Sequence, residues 1–110
     1  MRIEKFSFGT VVINGNEYKQ DVFVTNDSVE EKENSHKITK DDLDKILLYE
    51  PDIVVIGRGT SNNVEIPDEI KVMLAQNNIK LIDGKTPDVI EKFNKLVSKN
   101  KIVGILHLTC

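Results

Sequence analysis

Hydrophobic positions are spaced differently in the two halves of the chain. Residues 8–13 and 18–25 are rich in β-branched and aromatic residues, and Asn14-Gly15 lies between these two runs. An Asn-Gly pair supplies the positive φ angles of a tight turn, so the pattern predicts an N-terminal β-hairpin. In its second strand the polar residues Lys19, Asp21 and Thr25 are expected on a solvent-facing side.

Helical spacing of apolar residues begins after a polar stretch at residues 26–37, which is expected to be a loop or an irregular strand. Thr39, with Asp42 three residues later, is typical of a capping box. Pro51 ends this first helix, because the residue before a proline avoids the helical region. The buried stripe of the helix is expected to be Leu43, Ile46 and Leu47.

Two more helices alternate with three apolar segments in the second half. One helix is predicted over residues 67–77, with Ile70, Met73 and Leu74 facing inward. The other starts at Thr86-Pro87-Asp88, with Thr86 as its N-cap. Residues 52–57, 79–82 and 101–109 are apolar enough to be buried strands. This β-α-β-α-β order predicts an α/β sheet with helices packed on it, and the last strand is expected in its interior.

Length, charge and cysteine content narrow the class of protein. A chain of 110 residues with 39% hydrophobic content suits one domain over residues 1–110 with a single core. The net charge of −3 and the absence of a basic cluster argue against nucleic acid as a partner. No apolar run approaches the ~20 residues of a membrane span, and no secretory signal is recognisable. One cysteine forms no internal disulfide, and the expected location is the cytoplasm.

A candidate binding site lies in two loops that follow apolar strands, residues 57–63 and residues 83–86. If those strands are parallel, the loops lie at one sheet edge, each ahead of a helix N-terminus that favours an anion. Arg58 would add a forked cation. The alternative interpretation is a tight turn with one solvated arginine. The candidate anion-binding residues are Gly57, Arg58, Gly59, Thr60, Ser61 and Thr86.

Other motifs of catalysis or cofactor binding are incomplete. Gly84-Lys85-Thr86 imitates the end of a phosphate-binding loop, but the glycine required five positions before Gly84 is Ile79. Gly57-Arg58-Gly59 lacks the third glycine of a dinucleotide fingerprint. We therefore predict no cofactor.

The histidines and the cysteine form no recognisable catalytic or metal motif either. His36, His107 and Cys110 have no metal-ligand spacing, so no metal site is predicted. His107 and Cys110 point to opposite faces of an extended strand, so no Cys–His nucleophile and no catalytic residue is predicted. His107 is interpreted as a hydrogen-bonded core histidine, and Cys110 as a small buried residue or a frayed end. Enzyme activity is left open, with a non-enzyme favoured.

Several short motifs, spread over nearly the whole chain, resemble a family of small domains. The matching residues are Phe8-Gly9, Gly15, Tyr18, His36, Asp42-Leu43, Val55-Ile56-Gly57, Gly59, Thr86, Asn94, Leu96 and, most specifically, Leu106-His107-Leu108-Thr109-Cys110. The family is that of the adipogenesis-associated Mth-type domain proteins, which includes mitochondrial complex I assembly factors. Relatives often carry a tryptophan and an arginine where this chain has residues 29–35, and a threonine in place of Arg58.

The resemblance implies a three-layer α/β domain with a mixed central sheet and a small N-terminal β layer. It implies neither a cofactor nor a catalytic residue. The leading hypothesis is a soluble, non-catalytic binding or assembly-type protein with a protein partner. The alternative is a binder or enzyme for a small anionic molecule at the loops around Arg58 and Thr86. A flat apolar surface patch would favour the first, and a cleft holding Arg58 with a titrating group would favour the second.

Overall fold

The computed structural model describes all residues 1–110 as eight strands and three helices. The strands are β1 (Ile3–Ser7), β2 (Thr10–Ile13), β3 (Asn16–Tyr18), β4 (Val22–Val24), β5 (Val29–Glu31), β6 (Ile53–Arg58), β7 (Lys80–Gly84) and β8 (Ile102–His107). The helices are α1 (Lys40–Tyr49), α2 (Asp68–Gln76) and α3 (Thr86–Leu96).

The N-terminal strands form a small antiparallel sheet in the order β1-β2-β3. Asn14 and Gly15 join β2 to β3 with φ angles of 49° and 83°, so the predicted hairpin turn is confirmed. Strand β1 was not predicted from the sequence. The prediction of one continuous strand over residues 18–25 is wrong, because the chain leaves the small sheet after β3 and enters a second sheet at β4. Lys19 is exposed as expected, but the solvent-facing prediction is wrong for Asp21, which is only 2% exposed, and for Thr25, which is buried.

The second sheet has five strands in the order β5-β4-β8-β6-β7. Strands β6, β7 and β8 are parallel, whereas β4 runs antiparallel to both β8 and β5. The sheet is therefore mixed, as the family resemblance implied. All six residues of β8 are buried, which confirms the expectation of an interior strand.

Helices and the small sheet cover the two faces of the large sheet, which gives three layers. On one face, α1 and α2 pack over Phe23, Val54, Ile56, Val103 and Ile105. On the other face, α3 and the small sheet pack over Val22, Val24, Val55, Ile102 and Leu106. Successive strand residues alternate between these two cores because side chains along a strand point to opposite faces.

Of the helix features predicted from the sequence, some are confirmed and others are wrong. Thr39 Oγ1 accepts a hydrogen bond from the Asp42 N–H, and Asp42 accepts one from the Thr39 N–H, so the capping box of α1 is confirmed. Thr86 as an N-cap is wrong, since α3 already includes it and the N-cap is Lys85. Met73 as an inward residue is also wrong, because it is 38% exposed beside the buried Leu74. None of the three helices is long and apolar enough to cross a membrane.

Candidate functional site

The two predicted loops do meet at one edge of the large sheet. The carboxyl ends of the parallel strands β6, β7 and β8 share this edge, where open α/β sheets gather ligands. The Gly59 N–H donates to Thr86 Oγ1 at 2.9 Å, and the Thr86 N–H donates to the Gly59 carbonyl at 3.2 Å. The loop after β6 is therefore fastened to the first residue of α3.

Thr86 is fully buried and uses its hydroxyl within the protein. Its Oγ1 donates to the His107 carbonyl at 2.7 Å while accepting from Gly59. A hydroxyl has one proton to donate, and the His107 carbonyl takes it, so none is left for an anionic ligand. Thr86 instead joins the ends of β6, β7 and β8, and this role replaces the predicted N-cap.

Arg58 is also engaged by neighbouring protein groups. Its Nε donates to the Val64 carbonyl at 2.8 Å, and its Nη1 lies 3.2 Å from Asp83 Oδ2. The first bond closes the loop onto itself, and the carboxylate of Asp83 offsets the cation. Ser61 is exposed on the same loop, and the Thr60 N–H donates to the Thr109 carbonyl at 2.8 Å.

Two glycines in this region make room for the protein's own chain. A Cβ on Gly57 would lie 2.8 Å from Thr86 Oγ1. Gly59 has a φ of +91°, and a Cβ there would lie 2.5 Å from the carbonyl carbon and oxygen of Cys110. Both distances are shorter than van der Waals contact. The space beside these glycines, predicted for a ligand, is therefore filled by residues 86 and 110.

A side chain at Gly59 should therefore destabilise the protein more than the same change at an open glycine. We expect Gly59→Ala to be less stable than Gly9→Ala by about 1–3 kcal/mol, the usual cost of overpacking. Gly9 is a matched control because its φ is +84°, yet a Cβ added to it would meet no atom within 4 Å. Urea denaturation of both variants measures the difference, and equal stabilities would show that the Cys110 carbonyl moves away freely.

A buried carboxylate–histidine pair that the sequence did not reveal lies beside this edge. His107 Nδ1 is 2.6 Å from Asp21 Oδ2, and both side chains are only 3% exposed. Asp21 Oδ1 also accepts the Leu108 N–H at 3.0 Å. His107 is thus the hydrogen-bonded core histidine that was predicted, but its partner comes from the segment between the two sheets.

Three more polar side chains extend from this pair towards the surface. Thr109 Oγ1 lies 3.1 Å from His107 Nε2, and the His36 ring packs edge-on against the His107 ring at 5.0 Å. Cys110 is exposed, and its Sγ lies 3.7 Å from His36 Nε2. The histidine next to Cys110 is therefore His36 and not His107. We call Asp21, His36, His107, Thr109 and Cys110 the edge cluster. No three histidine, cysteine or acidic side chains are arranged to hold a metal ion.

The fold and the edge site define an α/β domain with a mixed five-stranded sheet and a small antiparallel sheet packed on it. The chain belongs to the family described as a protein of unknown function, DUF498/DUF598, whose sequence profile matches residues 3–107. No curated protein matches the chain.

Solved structures share the whole architecture. A conserved hypothetical protein from Pyrococcus horikoshii OT3 is 26% identical, superimposes with a TM-score of 0.90, and both chains are covered over 100%. An outer membrane protein from Bartonella henselae is 16% identical with a TM-score of 0.86, covering 98% of this chain and 94% of that one. A Xanthomonas campestris protein solved by NMR is 13% identical with a TM-score of 0.82, covering 96% and 83%. The last two share the fold alone.

Proposed function

We propose that this chain is a cytoplasmic binding or assembly-type protein that receives an amphipathic helix of another protein. The observation that carries the proposal is an open apolar groove between α1 and α2. The groove has a volume of about 950 Å³. The residues that line it are Lys37, Ile38, Thr39, Lys40, Leu43, Asp44, Leu47, Pro67, Glu69, Ile70, Val72, Met73 and Gln76.

Helix α2 carries apolar side chains that are not covered by the rest of the protein. Ile70 and Leu74 pack into the core, whereas Val72 is 52% and Met73 38% exposed on the groove side. Two adjacent exposed apolar residues on a groove wall are more informative than single ones scattered over a surface. Methionine adapts its shape readily and is frequent on surfaces that bind helices.

Helix α1 supplies the opposite wall. Leu43 and Leu47 are one turn apart and both line the groove. Leu48 is 86% exposed and lies one turn after the groove residue Asp44. Leu43 and Leu47 also pack against the core, so Val72 and Met73 are the exposed large apolar side chains of the groove.

The shape and charge of the groove fit a helix. A cavity of roughly 150 Å³ accepts one benzene-sized group, so the groove has room for several apolar side chains. Helices bind such grooves through residues at positions i, i+3, i+4 and i+7. The rim carries Lys37 and Lys40 as well as Asp44 and Glu69, which complement a helix with charges of both signs beside its apolar stripe. The resemblance to Mth-type domain proteins and complex I assembly factors supports the same class of function.

Site-directed photo-crosslinking in the native host tests the proposal. A photoreactive amino acid at Met73 should crosslink to one helical segment of a different protein, while the same group at Lys92 should not. Lys92 is exposed on α3, on the other side of the large sheet. Val72→Asp should lower the Met73 crosslink about 30-fold, since loss of a central apolar contact costs about 2 kcal/mol.

Ala75→Asp is the matched control for Val72→Asp. Ala75 is exposed on the same helix but does not line the groove. The crosslink should survive this change. Crosslinks that join only two copies of this chain, or that form equally from position 92, would contradict binding of a partner helix.

Binding of a small anion at Gly57, Arg58, Gly59, Thr60, Ser61 and Thr86 is the second candidate. The convergence of both loops at one sheet edge favours it. The engagement of Arg58 by Asp83 and of Thr86 by His107 weighs against it. It would displace the groove proposal if phosphate or carboxylate compounds shifted the NMR signals of amides 57–63 at millimolar concentration and Arg58→Ala abolished the shifts.

A further inference from the structure

The edge cluster contains three side chains in the order of a nucleophile, a base and an orienting carboxylate. We propose that Thr109, His107 and Asp21 form a nucleophilic site for small acyl esters, with Thr109 as the attacking hydroxyl. Thr109 Oγ1 is 3.1 Å from His107 Nε2, and His107 Nδ1 is 2.6 Å from Asp21 Oδ2. Hydroxyl–imidazole–carboxylate geometry of this kind activates serine in several unrelated folds.

The buried carboxylate fixes which ring nitrogen carries the proton. An ionised carboxylate only accepts hydrogen bonds, so Nδ1 of His107 carries the hydrogen that points to Asp21. In the neutral ring Nε2 is then the acceptor, and the Thr109 hydroxyl donates to it. Asp21 is itself held by the Leu108 N–H at 3.0 Å, so the ring orientation is determined by the fold. Asp21 is a positioning residue, while Thr109 and His107 act on the substrate.

Two backbone amides beside the hydroxyl have no partner. The N–H groups of Thr109 and Cys110 donate hydrogen bonds to no protein atom, although the carbonyls of both residues accept bonds from Thr60 and Asn63. Oxyanion holes commonly use the amide of the nucleophile itself or of the residue after it. Thr109 is half-buried at the sheet edge, whereas His107 is enclosed, so a small acyl group can reach the hydroxyl from outside.

The reaction balances with water as the only co-reactant. Thr109 Oγ1 forms a bond to the acyl carbon while His107 Nε2 takes the hydroxyl proton. The bond from the acyl carbon to the leaving oxygen then breaks, and His107 returns the proton to that oxygen. Water next attacks the acyl-threonine, His107 takes a proton from it and returns it to Thr109, and a carboxylic acid leaves.

Acylation by p-nitrophenyl acetate and phosphonylation by a fluorophosphonate test the site. Tandem mass spectrometry should locate both labels on Thr109, with about one per chain. Thr109→Ser should keep the labels and Thr109→Val should lose them. Hydroxylamine at neutral pH removes acyl groups from thiols, which separates label on Cys110 from label on Thr109. Absence of both labels from Thr109, or acylation of Cys110 instead, overturns the proposal.

Asp21→Asn tests the positioning role separately. An amide nitrogen would donate to Nδ1 and move the ring hydrogen to Nε2, so His107 could no longer accept the Thr109 proton. We expect the acylation rate to fall about 10⁴-fold, as when the carboxylate of a Ser-His-Asp triad is replaced by an amide. The ¹⁵N shifts of the His107 ring should report the Nδ1–H tautomer before the change and the Nε2–H tautomer after it. An Nε2–H tautomer in the unchanged protein would refute the assignment whatever the labels show.

Discussion

Deletion of residues 101–110 should abolish folding. The segment contains β8, which lies between β4 and β6 and is hydrogen-bonded to both. Its loss removes the buried side chains of Ile102, Val103, Ile105, Leu106 and Leu108. At roughly 1.5–3 kcal/mol for each, the lost burial matches or exceeds a total stability of about 5–15 kcal/mol. Circular dichroism and thermal melting should show no cooperative transition.

A shorter deletion provides the control. Removal of Thr109 and Cys110 alone keeps every residue of β8. It loses the carbonyl acceptors of Thr60 and Asn63 and the side-chain contacts with His107 and His36. This variant should melt cooperatively at a lower temperature than the parent. A chain lacking residues 101–110 that still melts cooperatively near the parent temperature would mean that β4 and β6 can close the sheet without β8.

His107→Leu should destabilise the protein by about 3–5 kcal/mol. The change leaves the Asp21 carboxylate buried without its ring partner, and an uncompensated buried charge costs this much. The leucine itself fits an apolar strand, so the loss comes from the unpaired carboxylate of Asp21 and not from poor β propensity. Urea denaturation compared with the parent measures it.

Asp21→Asn is the matched change on the other side of the pair and should cost only about 1–2 kcal/mol. The amide oxygen can still accept the Leu108 N–H, and the amide nitrogen can donate to His107 Nδ1 in the other tautomer. If both variants lost the same stability, the cost would lie in packing at this position and not in an unpaired carboxylate.

Structural features that depend on contacts between neighbouring residues were predicted correctly from the sequence. The Asn14-Gly15 turn and the Thr39–Asp42 capping box involve residues at most three apart, and both are present. The apolar residues on both faces of the last strand likewise indicated its interior position. The order of the strands was not predictable from these patterns, because strand pairing is decided by long-range contacts.

Contacts between distant segments account for the errors. Asp21 resembled a solvent-facing strand residue, and only its bonds to His107 and Leu108, 86 and 87 positions away, explain its burial. Thr86 is a residue type that commonly caps helices. Its hydroxyl instead bonds to the Gly59 N–H and the His107 carbonyl, which are distant in sequence. Met73 matched the apolar spacing of α2, but it lies in the groove between α1 and α2. Its exposure could not be predicted without knowing where α1 packs.

The strand order also constrains how the protein is made. Synthesis proceeds from the N-terminus, so β4 and β6 emerge from the ribosome before the strand that separates them in the sheet. Until residues 102–107 are released, each of these strands has an open edge where β8 will later pair, and such edges are prone to pair with other chains. The growing chain therefore depends on translation of residues 102–107 to complete its sheet, and a pause before that point prolongs the period in which it can aggregate.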